Sequence, residues 1–550
     1  MTTTESSSAD IVRPPLVESM WERDERLDLV DFTVGGLLAE RASTHADVTA
    51  LIGTRHGDGQ KVRLTYAQLY DEALRVATAL RALVSEGDFV AMWAPNVVEW
   101  PIVEYGAALA GVVLVALNPG LRTNELAYAL EHSGSNLLLH ADSSRDYDMA
   151  AVVQQIRSTH PNLRTVSLSE RSVWRADAVA PETLAGVPQD PNAPVMLQYT
   201  SGTTGKPKGV LLRHRSLVNV ARFTLDYTDV ARGAVTVNPL PMFHTAACVI
   251  GTLGPLWIGG TSCLVEQFAP GRVLDIIRGE KASVLFYVPA MLDAILHTQR
   301  ESDEPAPQLH TIIGGASTVS ASMIEAAEKT FGAVVLNLFG QTELSPVLMA
   351  TRRGDSRADQ LTTVGHPLPQ VDCKVADPMT GEVVPIGVVG EICARGYQQM
   401  IGYLHDPEAT SRTVDSDGFV HTGDLGAMDE RGYVRLTGRL KELIIRGGEN
   451  IAPIEIELCL GGHESVDGAT VVGIPDARMG EIVVAVVRVR GVEPADLRQQ
   501  LEDHARRMLS PHKIPGRWFV ADELPATPTG KIRKFLVVDQ IVSGALRELL

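Results

Sequence analysis

Tyr199-Thr-Ser-Gly-Thr-Thr-Gly-Lys-Pro-Lys-Gly-Val210 gathers hydroxyls, glycines and two lysines into one turn between apolar segments. Residue types in that pattern handle phosphate. Gly202, Gly205 and Gly209 let the backbone bend and present N–H groups to an anion, Thr200, Ser201, Thr203 and Thr204 add hydroxyls, and Lys206 and Lys208 add charge. The stretch is not a Walker loop. That motif spaces its glycines by four residues and follows its lysine with Ser or Thr, whereas here Gly202 and Gly205 are separated by two and Pro207 follows Lys206. A polyphosphate ligand without the P-loop NTPase fold is therefore expected, against the plainer reading of a solvated Gly/Thr-rich surface loop.

Working outward, the chain alternates short apolar strands with helical patterns, the rhythm of a parallel α/β sheet. Tyr66–Leu83 and Trp100–Ala110 read as helices, and Phe89–Trp93 and Val112–Leu117 as strands. The alternation returns at Arg272–Gly279, Ser283–Val288, Ser322–Thr330 and Val334–Leu338, which predicts a second α/β lobe. From Thr362 to Val434 short strands and turns such as Asp417-Gly418 predict a small β-rich unit. The last ~110 residues read as a compact α+β unit, with strands at Ala469–Ile474 and Ile482–Val489 and a helix carrying Leu497, Leu501, Ala505 and Met508 on one face.

At 550 residues with 45% hydrophobic content, more than one domain is expected. The balance of 49 Lys plus Arg against 67 Asp plus Glu, a net charge of -18, disfavours nucleic acid as a partner, so an acidic ligand must meet a locally basic site. Five scattered cysteines without a CxxC pair point to a reducing, cytoplasmic setting. The start MTTTESSSAD has no basic or apolar leader pattern, and apolar runs such as Tyr105–Leu117 fall short of the ~20 residues that span a bilayer. No transmembrane segment is expected, and peripheral membrane contact stays open.

Four more motifs follow the loop in order: Phe339-Gly-Gln-Thr-Glu343, Thr422-Gly-Asp424, Gly438-Arg-Leu-Lys-Glu442 and Pro528-Thr-Gly-Lys531. With them the sequence resembles the adenylate-forming superfamily of acyl-CoA synthetases, luciferases and peptide-synthetase adenylation domains, from about Thr33 to about Ile541. The resemblance implies an α/β fold with a large N-terminal domain of two α/β lobes plus a distorted β-barrel, and a small, mobile α+β C-terminal lid domain. The implied division is a tail at 1–15, an AMP-binding domain at 16–440 and a lid at 441–550. It also implies a ligase that uses ATP, Mg²⁺ and coenzyme A: a carboxylate attacks the α-phosphate, pyrophosphate leaves, and the CoA thiol then displaces AMP.

Roles carried over from that family fall on particular residues. Thr200, Ser201, Gly202, Thr203, Thr204, Gly205, Lys206 and Lys208 would wrap the β- and γ-phosphates, Thr342 would contact the α-phosphate, and Glu343 with Thr203 would face Mg²⁺. Gly315 and Ala316 would line the nucleotide and acyl group, Asn337 would meet the adenine amino group, and Phe339, where a tyrosine is common, would stack on adenine beside Gly340. Asp424 and Arg439 would hold the ribose. Lys531 would bridge carboxylate and α-phosphate, Lys441 would be the pivot of the lid, and Gly447 and Gly448 would approach the pantetheine tunnel in the second step.

His244, in Pro239-Leu-Pro-Met-Phe-His244, matches the position that gates the acyl pocket. The small residues Thr245, Ala246, Ala247 and Gly251, with Tyr287, Val288 and Ala290, predict a roomy apolar pocket and hence a fatty or other bulky apolar acid. No Asp stands near Phe243 to meet an amino acid's α-amine, which disfavours amino acids. An acyl-AMP ligase serving a separate carrier protein is the alternative, with a non-catalytic binding homologue behind it.

Overall fold

The computed structural model describes residues 14–180, 190–200, 207–315, 319–446, 449–476, 478–527 and 532–549. Among these residues four larger sheets organise the chain. The first has seven strands in the order Gly402–Tyr403, Lys208–Arg213, Pro194–Thr200, Val113–Leu117, Phe89–Trp93, Leu137–His140 and Arg164–Ser167. Its parallel centre is buried on both faces, as parallel sheets are, and every position of Val113–Leu117 is inaccessible. The helix Tyr66–Leu83, which packs on the helix Glu99–Ala110 and on the strands Thr49–Thr54 and Lys61–Thr65, begins where sequence chemistry requires. Thr65 accepts from the Gln68 amide while the Gln68 side chain reaches back to the Thr65 N–H, a reciprocal cap.

The motif Tyr199–Val210 lies at a strand end of this sheet. Pro194–Thr200 runs parallel to Val113–Leu117 and pairs antiparallel with Lys208–Arg213, with Thr200 opposite Lys208. Thr200 thus stands at the carboxyl end of a strand in the parallel part of the sheet, the edge at which open α/β sheets place their ligands.

The second sheet has nine strands, centred on Val334–Phe339, Thr311–Gly315, Val284–Tyr287 and Val235–Asn238. It continues through Thr261–Leu264 into Thr49–Thr54 and Lys61–Thr65, two strands that the local sequence pattern did not mark. Leu51 pairs with Ser262 and Ile52 with Cys263, so an early hairpin completes a sheet otherwise built from the middle of the chain.

The third sheet, where a distorted barrel was expected, is open. Its antiparallel path runs Met20–Trp21, Val371–Ala376, Gly390–Gly396, Val420–Met428 and Val434–Arg439 without returning to its first strand among the described residues. The backbone of the last strand is engaged elsewhere: Val364 N–H donates to Val434 O at 2.8 Å, and Val434 N–H to Gly365 O at 3.1 Å.

The C-terminal sheet is covered on both faces, and the alternation along Gly480–Val489 shows how. Val483, Ala485 and Val487 pack with Leu497, Leu501 and Ala505, whereas Val484 and Val486 pack with Val537 and Ile541. Met508, expected on the buried face of Leu497–Met508, is 67% exposed because it ends the helix beyond the edge of that core. Among the described residues no helix is long and apolar enough to cross a membrane.

Candidate active site

Three expected or neighbouring side chains converge beside the Thr200/Lys208 end of the hairpin. Lys208 Nζ stands 4.6 Å from the centre of the Tyr403 ring, and the Tyr403 hydroxyl donates to Glu343 Oε1 at 2.8 Å. Burial first, and then the Glu343 charge, push the Tyr403 phenol up, so it stays protonated and donates. Sequence reasoning missed Tyr403. It arrives on the two-residue strand Gly402–Tyr403, opposite Leu211 and Val210, and no local periodicity announces so non-local a pairing.

Glu343 is carried by a 3₁₀ turn, Thr342–Leu344, that follows the strand Val334–Phe339, and its carbonyl accepts from Met400 N–H at 2.9 Å. Thr342 shares that turn and is half-buried. The turn needs a glycine before it: a Cβ on Gly340 would fall 2.0 Å from Pro346 O. Gly315 meets the same constraint one strand away, where a Cβ would lie 2.1 Å from Leu338 O.

Asn337 is fixed from several sides. Its Oδ1 accepts from Tyr287 Oη at 2.9 Å, its N–H donates to Thr351 Oγ1 at 2.9 Å, and Nδ2 reaches Gln360 O at 3.4 Å. Phe339 is half-buried against the large core, which leaves part of the ring accessible. Tyr287 is fully buried in the second core, with its hydroxyl on Asn337. It supports Asn337 and does not widen an acyl pocket, a correction to its expected place.

Asp424 and Arg439 face each other across two strands of the third sheet and pair at 2.7 Å, with Asp424 only 4% exposed. Lys441 is exposed in the 3₁₀ turn Leu440–Glu442. Immediately after it, Lys534 Nζ lies 2.9 Å from both Glu442 Oε2 and Glu457 Oε1, tying the chain beyond Lys441 to the C-terminal unit.

His244 is half-buried, and desolvation lowers its pKa to about 4, so the ring is neutral at pH 7. Its ring centre lies 4.5 Å from that of Phe243, and its carbonyl accepts from Ala247 and Cys248 N–H as the chain enters a π-helical turn, Ala246–Ile250. The small residues here are filled against, not left open. A Cβ on Gly251 would come 2.2 Å from Asn238 Nδ2, and Asn238 Nδ2 also donates to Ala247 O at 3.3 Å. Thr245 and Ala247 are buried, whereas Ala290 is exposed and Val288 belongs to the core. The roomy pocket expected from residue size is corrected to a packed apolar wall.

Ser201, Gly202, Thr203, Thr204, Gly205, Lys206, Ala316, Gly447, Gly448 and Lys531 lie outside the described residues.

The AMP-binding enzyme family model matches residues 38–404, and that of the AMP-binding enzyme C-terminal domain matches residues 455–531. The chain is 34% identical to the acyl-CoA ligase sidI of Aspergillus fumigatus over 95% of this chain and 93% of that one. It is 31% identical to the mitochondrial medium-chain acyl-CoA ligase ACSF2 of Rattus norvegicus, over 93% of this chain and 88% of the relative. Among solved structures, ATP-bound MatB from Rhodopseudomonas palustris superposes with a TM-score of 0.77 at 28% identity, covering 92% of this chain and 98% of MatB. Two family models in order and relatives matched almost end to end agree: the chain belongs to the AMP-binding enzyme family, among its acyl-CoA synthetases and ligases.

Proposed function

We propose that this protein joins an apolar carboxylic acid to coenzyme A in two steps, through an acyl-adenylate. In the first, a carboxylate oxygen attacks the α-phosphorus of ATP and the bond to pyrophosphate breaks. In the second, the CoA sulfur attacks the acyl carbon, its proton is lost, and AMP leaves. The observation that carries this reading is the contact of Lys208, Tyr403 and Glu343 at the foot of the Gly/Thr hairpin, where a fixed cation and a fixed carboxylate stand together. Positioning and charge neutralisation are what such a reaction needs.

Within this reading, Asp424 and Arg439 take the ribose, Asn337, Phe339, Gly315 and Ala316 line the base and acyl junction, and Thr342 meets the α-phosphate. The segment 200–208 takes the outer phosphates. Lys531 supplies charge in the adenylating pose. Lys441 divides an N-terminal domain ending at 440 from a lid at 441–550, and Gly447 and Gly448 line the thiol path. The donor set at Glu343 is all oxygen, which fits a hard cation held by one or two carboxylates plus substrate phosphates. Mg²⁺ there would be held by Glu343 and by Thr203, and would neutralise polyphosphate charge.

An apolar acid is supported by the neutral His244 and the buried Ala247, Cys248, Val249 and Ile250 behind it, and a matched relative is named for medium-chain acids. Five unpaired thiols are consistent with a reducing, cytoplasmic setting. The test is ATP–pyrophosphate exchange with a panel of acids, then a thioester assay with coenzyme A. Exchange that depends on medium-chain or ring-bearing acids and ends in thioester is expected. Release of ADP overturns the reaction, equal exchange with amino acids overturns the substrate class, and an adenylate discharged only onto a carrier protein favours the alternative ligase.

A further inference from the structure

The Thr422-Gly-Asp424 motif is not a regular part of its strand. Opposite it, Glu391 pairs with Leu425 and Cys393 with His421, so a single residue, Ile392, stands against Thr422, Gly423 and Asp424. The motif is a bulge looped out of an antiparallel ladder, and bulges next to functional sites serve to re-aim a side chain. Gly423, at φ 72°, makes the sharpest part of it.

A bulge breaks ladder hydrogen bonds, and its freed backbone groups must be satisfied by something else. A buried carboxylate and a threonine hydroxyl share this work. Glu391, 6% exposed, accepts from Gly423 N–H through Oε1 at 2.9 Å and from His421 Nδ1 through Oε2 at 2.8 Å. Thr422 Oγ1 then donates to Ile392 O at 2.7 Å and accepts from Asp424 N–H at 3.0 Å. The chain of contacts ends at Asp424, whose carboxylate pairs with Arg439. His421 is held at its far side by Asp415, 3.5 Å from Nε2.

We infer that Glu391 is a positioning residue for the nucleotide ribose: by holding the His421 ring and the Gly423 N–H together it fixes the bulge from which Asp424 points. The inference rests on the proposed ribose role of Asp424. Its consequence is specific, because a misplaced Asp424 should lose its discrimination for ribose hydroxyls before it loses anything else.

The experiment compares ATP with 2′,3′-dideoxy-ATP, which lacks both hydroxyls, as substrates in pyrophosphate exchange. The wild-type protein should prefer ATP by about 10- to 100-fold in kcat/KM, the range for hydrogen bonds to a charged group, and Asp424→Ala should remove that preference. Glu391→Ala should shrink it to within about threefold of unity while the KM for the acid stays near wild type. A general folding defect would instead lower both nucleotides together. Glu391→Gln, close in size, guards against failure to fold: it keeps an oxygen for Gly423 N–H but not the charge on His421, and should lose at least part of the preference. If Asp424→Ala loses the preference while the folded Glu391 variants keep it, the positioning role is overturned. If the wild type shows no preference, the ribose reading of Asp424 fails, and the inference falls with it.

Discussion

The surroundings of His421 and His244 are electrostatic opposites, and each typifies its region. Around His421, Cys393 Sγ and the Glu391 carboxylate meet Nδ1 and push the pKa up to about 10, so the ring stays charged beside the Thr422–Asp424 bulge. Around His244, desolvation alone drives the pKa down to about 4, and the ring stays neutral against an apolar wall. The proposed nucleotide region is thus organised by fixed charges with partners, and the proposed acyl region by exclusion of charge. A carboxylic acid with an apolar tail needs both.

The hardest test of the charge-organised side is Lys531→Ala. Loss of one preorganised charge should lower adenylate formation by about 100- to 1000-fold, while supplied acyl-adenylate and coenzyme A still give thioester. Lys441→Pro, with its restricted φ, should show the reverse pattern. Equal loss of both half-reactions in the two folded variants would argue against alternation of the lid.

A smaller effect is expected at Tyr403. Tyr403→Phe keeps the ring under Lys208 but removes the hydrogen bond to Glu343, which should cost about tenfold in kcat/KM for ATP and leave the KM for the acid alone. An unchanged rate would mean that Glu343 needs no fixing, and the nucleotide side would lose part of its claim to preorganisation.

The smallest effects separate the two histidines by sign. His421 has a folded pKa raised from 6.5, so its contribution to stability is present below about 6.5 and is lost as pH rises toward about 10. His244 has a folded pKa lowered from 6.5, so its contribution is present above about 6.5 and is lost as pH falls toward about 4. In urea midpoints measured across pH, His421→Gln should flatten the alkaline limb and His244→Phe the acid limb. Should both substitutions alter the same limb, the electrostatic contrast between the regions is wrong.

Local chemistry made much of this legible. Tyr66–Leu83 and Phe89–Trp93 coincide with the observed helix and strand because their caps and burial periodicity are written in adjacent residues. The residues Glu343, Asp424 and Arg439 could be named only because the ordered motifs around them resemble the adenylate-forming superfamily, since an isolated exposed-type charge carries no local signal of its role. What stayed hidden is non-local. The strand Thr49–Thr54 belongs to a sheet whose other members lie far along the chain, Tyr403 reaches Glu343 only through a register, and Glu391 acts across a ladder. Size was also an unreliable guide to space, since Gly251 is small to admit Asn238 and not a ligand.

The early hairpin has a consequence for synthesis on the ribosome. Leu51 and Ile52 pair with Ser262 and Cys263, so the parallel partner of this strand emerges roughly 200 residues later, about 10 to 40 s at ~5–20 residues per second. During that interval an apolar strand presents an unpaired edge, the kind of surface that recruits other chains. The nine-stranded sheet cannot close meanwhile. Nascent-chain chaperones, slower translation of the stretch before Thr261, or lower growth temperature should therefore govern the yield of soluble protein more than any property of the finished site.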